Sequence, residues 1–141
     1  MAMQLSLYRV GAWCWIVTGV GHLIGEVLLR LSPSPEGTAA HAAMGEHYFE
    51  LMGTRRSIQQ MMTGFGVAMG LAIALSGLLF LLVARVAADD KARPAGFVGL
   101  AVSAAMFTVA VTLLPPPPIV LFALASLAFA AALIVKPART A

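Results

Sequence analysis

Four long apolar stretches dominate the chain: about Val10 to Leu29, Ile58 to Val83, Gly96 to Leu114 and Ile119 to Val135. A helix rises about 1.5 Å per residue, so about 20 apolar residues cross a hydrocarbon core about 30 Å thick, with about 17 as the lower limit. The last stretch has 17 residues. It predicts a nearly upright helix, or one that starts inside the proline run before it.

Composition points the same way. Hydrophobic residues make up 60% of the 141 and charged residues 11%, against about 45–50% and about 25% in soluble domains. That is too few charges to cover a water-exposed surface, and the mean hydropathy is +0.91. The net charge of +3 does not point to nucleic acid, because the nine basic residues are scattered and flank the apolar stretches. Cys14 is the only cysteine. It rules out an intrachain disulfide and a cysteine-based zinc cluster, and reads as a small packing residue. The expected fold class is all-α: a four-transmembrane-helix bundle forming a single domain over residues 1–141, with the lipid bilayer as its partner.

A secretory leader competes for the first segment, with Arg9, a short apolar run and Ala40-His41-Ala42 as its loose parts. His22 and Glu26 interrupt the run, and the cleavage-like site lies beyond Pro33 and Pro35. We read a retained helix. Arg9, Arg85, Lys91, Arg93, Lys136 and Arg139 then fall on one side, and Arg30, Arg55 and Arg56 on the other. Six against three predicts both termini in the cytoplasm and the Leu31–Ser57 loop outside.

The connections differ in kind. Residues 87–95, "AADDKARPA", read as a short polar hairpin loop, and Pro115–Pro118 as a stiff link without backbone donors. The first loop is far longer than the connection requires, which marks it as a candidate functional segment. From about Thr38 to Met52 it reads as a short amphipathic helix with Met44, Tyr48, Leu51 and Met52 on one side, ended by Gly53. Ser57 and Gln60 have the spacing of a capping box at the start of the second span.

Small residues predict close helix contacts. Gly11, Cys14, Thr18, Gly21 and Gly25 form a seam on the first span, and Gly66, Gly70, Ala74 and Gly77 a ridge on the second. These faces serve either the bundle itself or a homo-oligomer. Gln59, Thr63, Ser76, Ser103, Thr108, Thr112 and Ser126 read as helix–helix hydrogen-bonding residues.

The chemistry concentrates in one part of the chain. His22, Glu26 and Arg30 are spaced four apart and stack along one helix face. In one reading Glu26 pairs with Arg30 in the favourable order and Arg30 snorkels to the interface. In the other, His22 and Glu26 are candidate catalytic residues facing a lid that carries Glu46, His47, Glu50, Arg55 and Arg56 as candidate substrate-binding residues. Four of the six acidic residues lie between Glu26 and Glu50, and all three histidines between His22 and His47. His47-x-x-Glu50 also has helical spacing for metal ligands, but bundle di-iron sites use the reverse order, Glu-x-x-His. The expectation is no metal and no cofactor.

Arg9 opening an aromatic first helix with Gly21-His22-Leu23, the loop ending in "FELMGTRRS" and the glycine-rich second helix resemble the small, uncharacterised four-span integral membrane proteins of bacteria. That resemblance implies a bacterial inner membrane and little about activity. His22-Leu23-Ile24-Gly25-Glu26 is similar to the histidine–glutamate turn of the emopamil-binding (EXPERA) sterol isomerases. It implies proton transfer by His22 and Glu26 in a lipid-facing pocket, although the chain has no fifth span and its later helices show no acidic residue to complete the set. Small multidrug transporters likewise have four spans and a glutamate in the first, but "GFVGLAVSAAMFTVAVTLL" lacks their aromatic pattern. The leading expectation is an outward-facing polar pocket for a lipophilic small molecule, with an isomerase-type enzyme as its catalytic form. A proton-coupled transporter and an accessory subunit of a membrane complex are the alternatives.

Overall fold

The computed structural model describes residues 2–32, 34–86 and 89–135. Helix α1 (Ala2–Leu31) leads through α2 (Pro35–Glu46) into a hairpin of β1 (Tyr48–Leu51) and β2 (Thr54–Ser57); α3 (Ile58–Val86), α4 (Asp89–Leu113) and α5 (Pro116–Ile134) follow. Helices α1, α3, α4 and α5 each contain a segment long and apolar enough to cross a membrane: Met3–Leu31, Ile58–Val86, Arg93–Leu113 and Pro116–Ile134. The all-α, four-span fold class holds.

Several boundaries move, for local reasons. The fourth span does begin inside the proline run, at Pro116. The first N–H groups of a helix have no partner within it, so consecutive prolines there remove no hydrogen bond. The expected polar hairpin loop before α4 is largely helix, because α4 starts at Asp89. Residues 87 and 88 of that loop lie outside the described residues, as do Lys136 and Arg139 from the orientation count.

The loop helix is the main correction. It starts at Pro35, with Ser34 as N-cap accepting a 3.0 Å bond from the Gly37 N–H, and it ends at Glu46. Tyr48 to Ser57, expected in part as helix, pair as antiparallel strands in the register Tyr48–Ser57, Phe49–Arg56, Glu50–Arg55 and Leu51–Thr54. Met52 and Gly53, at φ 51° and 75°, form the two-residue turn. Positive φ at both positions is what a tight hairpin with right-twisted strands needs. Gly53 thus turns a hairpin; it does not end a helix. The Ser57–Gln60 capping box is present in both directions, at 3.0 and 3.2 Å.

The core is aromatic and lies toward the N-terminal half of α1. Tyr8 and Trp15 of α1, Phe80 of α3, and Phe122 and Phe129 of α5 make edge-to-face contacts with centroids 5.1–6.3 Å apart. The Trp15 indole donates to the buried Ser103 Oγ at 2.8 Å and ties α4 to α1. Ser76, Thr108, Thr112 and Ser126 instead bond within their own helices, each donating to a carbonyl one turn back. Hydrogen bonding between spans therefore falls to Ser103 alone among the serines and threonines expected to provide it.

The glycine ridge on α3 packs against α1 along its length. A Cβ on Gly77 would meet the Ala12 carbonyl oxygen at 2.8 Å, one on Gly70 the Leu23 side chain at 2.7 Å, and one on Gly66 the Glu26 carboxylate at 2.5 Å. The expected seam on α1 is only half used. Gly11, Cys14 and Thr18 are buried, whereas a Cβ on Gly21 or Gly25 would meet nothing within 4 Å. Phe129 packs on Tyr8 and Phe122 on Trp15, so the antiparallel α5 begins, at Pro116, beside Gly21. Beyond that level no α5 residue is left to fill the seam. Gly19 takes its place as the contact glycine, against Gly70 and Ala74.

Candidate functional site

Past the end of α5, α1 continues for more than two turns with α3 as its neighbour, and α2 closes over the pair. Here a partly open cavity of about 130 Å³ is lined by Glu26, Leu29 and Arg30 of α1, His41 and Met44 of α2, and Gln59, Met62 and Thr63 of α3. Its position follows from the small residues around it. Gly66 gives the Glu26 carboxylate room against α3, and Gly45 lets α2 settle on Gln59, whose Oε1 would lie 3.1 Å from a Cβ there.

Glu26 and Arg30 form an ion pair at 3.6 Å, with side chains 29% and 48% exposed. The structural reading of the triplet is therefore real as geometry. A pair this open contributes little to stability, about 0–1 kcal/mol, and it leaves the second carboxylate oxygen facing Gly66. His22 lies one turn below, where its Nε2–H donates to the Gly66 carbonyl at 3.0 Å. That bond fixes the proton on Nε2 and leaves Nδ1 as the acceptor nitrogen of the neutral ring. His22 and Glu26 thus both converge on Gly66, but only Glu26 lines the cavity.

The expected lid residues do not assemble over them. Glu46 and Glu50, one turn apart on the expected helix, fall on different elements, and both are exposed. His47 caps α2 and donates from Nδ1 to the Ala43 carbonyl at 2.7 Å. Glu50 stands opposite Arg55 in the hairpin, and the Arg55 guanidinium sits 4.6 Å from the centroid of the Tyr48 ring. Arg56 points to the other hairpin face, beside Phe49, Leu51 and Thr54. None of Glu46, His47, Glu50, Arg55 or Arg56 lines the cavity around Glu26.

Three residues outside the expected site take their place. His41 sits on α2 six residues before His47, and Gln59 and Thr63 are one turn apart on α3. The one signal that could have found Gln59 and Thr63 is their spacing, which continues the α3 face of Gly66 and Gly70 to the start of the second span. Among the described residues no three of His, Cys, Asp and Glu come together at metal-binding distance. His47 and Glu50 are separated by the end of α2, which removes their helical spacing.

The fold and this mixed cavity define a class: a small multi-pass integral membrane protein with ionisable groups gathered at one end of its bundle. No protein-family model, curated protein or solved structure matches the chain.

Proposed function

We propose that the cavity between α1, α2 and α3 binds the polar end of a lipophilic small molecule, with the protein seated in a bacterial inner membrane and this end facing out. The observation that carries the reading is the mixture on one wall set: Glu26, Arg30, His41, Gln59 and Thr63 beside Leu29, Met44 and Met62. Such a mixture suits an amphiphile, since apolar walls accept its body and a few placed polar groups fix its head. At about 130 Å³ the space is smaller than the roughly 300–1,000 Å³ that encloses a whole ligand. The head enters, and the body extends between the helices toward lipid.

A proton-transfer activity is favoured by one further feature. A carboxylate on α1 and an imidazole on α2 face the same space, which is the pairing general acid–base chemistry needs. In this reading Glu26 takes a proton from the bound molecule and His41 returns one at another atom. His22 positions the Glu26 turn through its bond to Gly66. The likeness of His22–Glu26 to the sterol isomerase turn supports the part given to Glu26.

Native mass spectrometry of gently extracted protein tests the binding proposal. The wild type is expected to carry one lipophilic molecule in addition to bulk lipid, and Glu26→Gln to lose it. A wild type that carries none, or a Glu26→Gln variant that keeps it, overturns the site.

A further inference from the structure

The hairpin has two unlike faces. Side chains alternate along a strand, so Tyr48, Glu50 and Arg55 share one face while Phe49, Leu51, Thr54 and Arg56 share the other. On the first face the charges are matched within the hairpin, with Glu50 opposite Arg55 and Arg55 stacked on Tyr48. On the second face a groove of about 400 Å³ runs between the hairpin and the first turn of α3, completed by Gln60 and Met61. Arg56 is its only charged group. It donates to the Arg55 carbonyl at 3.2 Å and, among the described residues, meets no carboxylate within ion-pair distance.

Two observations say what surrounds this groove. Helix α3 has 29 residues, about 43 Å at 1.5 Å per residue, against a hydrocarbon core of about 30 Å. The excess, shared between the ends, sets the first turn of α3 and the adjoining Arg56 at headgroup depth. The hairpin tip is also apolar where water would favour otherwise. Met52 is 97% exposed and Leu51 65% exposed, and Met52 holds φ 51°, a conformation that favours Gly, Asn or Asp. A bare methionine there is unsuited to water and suited to lipid.

We propose that this groove seats an anionic phospholipid of the surrounding bilayer. Its phosphate meets Arg56, whose planar fork matches phosphate oxygens, and Thr54 and Gln60 offer further donors. Phe49, Leu51 and Met61 lie along the upper acyl chain, and Met52 dips beside it. A water-soluble anion would use Arg56 but leave this apolar wall exposed. The inference is independent of the Glu26 cavity, whose lining shares no residue with the groove.

The test uses full-length protein in nanodiscs of equal phosphatidylglycerol and phosphatidylcholine, with retained lipid counted by native mass spectrometry after release. The wild type is expected to retain one phosphatidylglycerol, and Arg56→Gln about tenfold less, as expected for loss of a charge-assisted contact. Arg55→Gln, on the opposite face, should match the wild type, and the exposed change Leu51→Gln should lower retention as well. Circular dichroism checks that each variant keeps its helix content. Equal retention in Arg56→Gln and wild type overturns the proposal. So does an equal fall in both arginine variants, which would mean surface charge alone, or displacement of the lipid by inorganic phosphate.

Discussion

Gly19 of α1 lies directly on Ala74 of α3: a Cβ added at Gly19 would fall 2.8 Å from the Ala74 Cα and 2.7 Å from the Gly70 carbonyl oxygen. Both obstacles are backbone, so no side chain can swing away. Gly19→Ala must push α1 and α3 apart, at an expected loss of about 1–3 kcal/mol. Gly21→Ala, two residues on, meets nothing within 4 Å and should cost nothing. Thermal unfolding of the two variants in one detergent makes the comparison. Equal melting temperatures would show that the close approach is not what holds the helices.

The Trp15–Ser103 bond gives a second prediction. Ser103 is fully buried, so Ser103→Ala leaves an indole N–H without its acceptor, at about 1 kcal/mol, near the range for hydrogen bonds between membrane helices. Trp15→Phe alone removes both the donor and packing volume. Once Trp15 is Phe, adding Ser103→Ala should cost much less than it does alone. A double-mutant cycle with no coupling would remove this bond from the account of how α4 is held.

Glu26 separates stability from function. The Glu26–Arg30 pair is partly exposed, so Glu26→Gln with Arg30→Gln should stay within about 1 kcal/mol of wild type in stability. Ligand retention should be lost in Glu26→Gln and should not return in the double variant. Gly66→Ala should reproduce the loss with every charge intact, because its Cβ would occupy the carboxylate's place. A double variant that retains ligand like the wild type would reduce Glu26 to a counter-charge for Arg30.

Orientation follows from the basic residues. A cysteine at Ser34 should react with a membrane-impermeant maleimide in intact cells, and one at Asp89 should not. Native Cys14 is buried and should give no background. The reverse pattern would turn the protein over in the membrane.

The spans were legible because apolar length alone specifies them, and the Ser57–Gln60 cap because its partners are three residues apart. The hairpin was not. Tyr48–Leu51 and Thr54–Ser57 are too short for a firm alternating pattern, and Gly53 serves a helix stop and a tight turn equally well in sequence. Pairing Phe49 with Arg56 is a contact between strands, invisible to a helical count. His22 and Glu26 were singled out because ionisable groups are rare in apolar helices. His41 lay within the loop that attracted notice, but its place beside Glu26 depends on how α2 docks, through Gly45 and Gln59. Gln59 and Thr63 looked like ordinary polar residues until a third helix enclosed them. The half-used seam on α1 has the same origin: composition marks Gly21 and Gly25 as contact residues, but it does not say that α5 begins only level with Gly21 and leaves Gly25 beyond its end.

The unequal lengths of the spans have a consequence for the membrane itself. Helix α5 has 19 residues and α3 has 29, a difference of about 15 Å in length. A bilayer meeting the protein from the α5 side and from the α3 side therefore encounters two different apolar heights. Hydrophobic mismatch is relieved by tilt or by local thinning and thickening, at fractions of a kcal/mol per ångström. At about 28 Å, α5 by itself matches the hydrocarbon core, so the mismatch to be relieved lies along α3, whose first turn carries the hairpin.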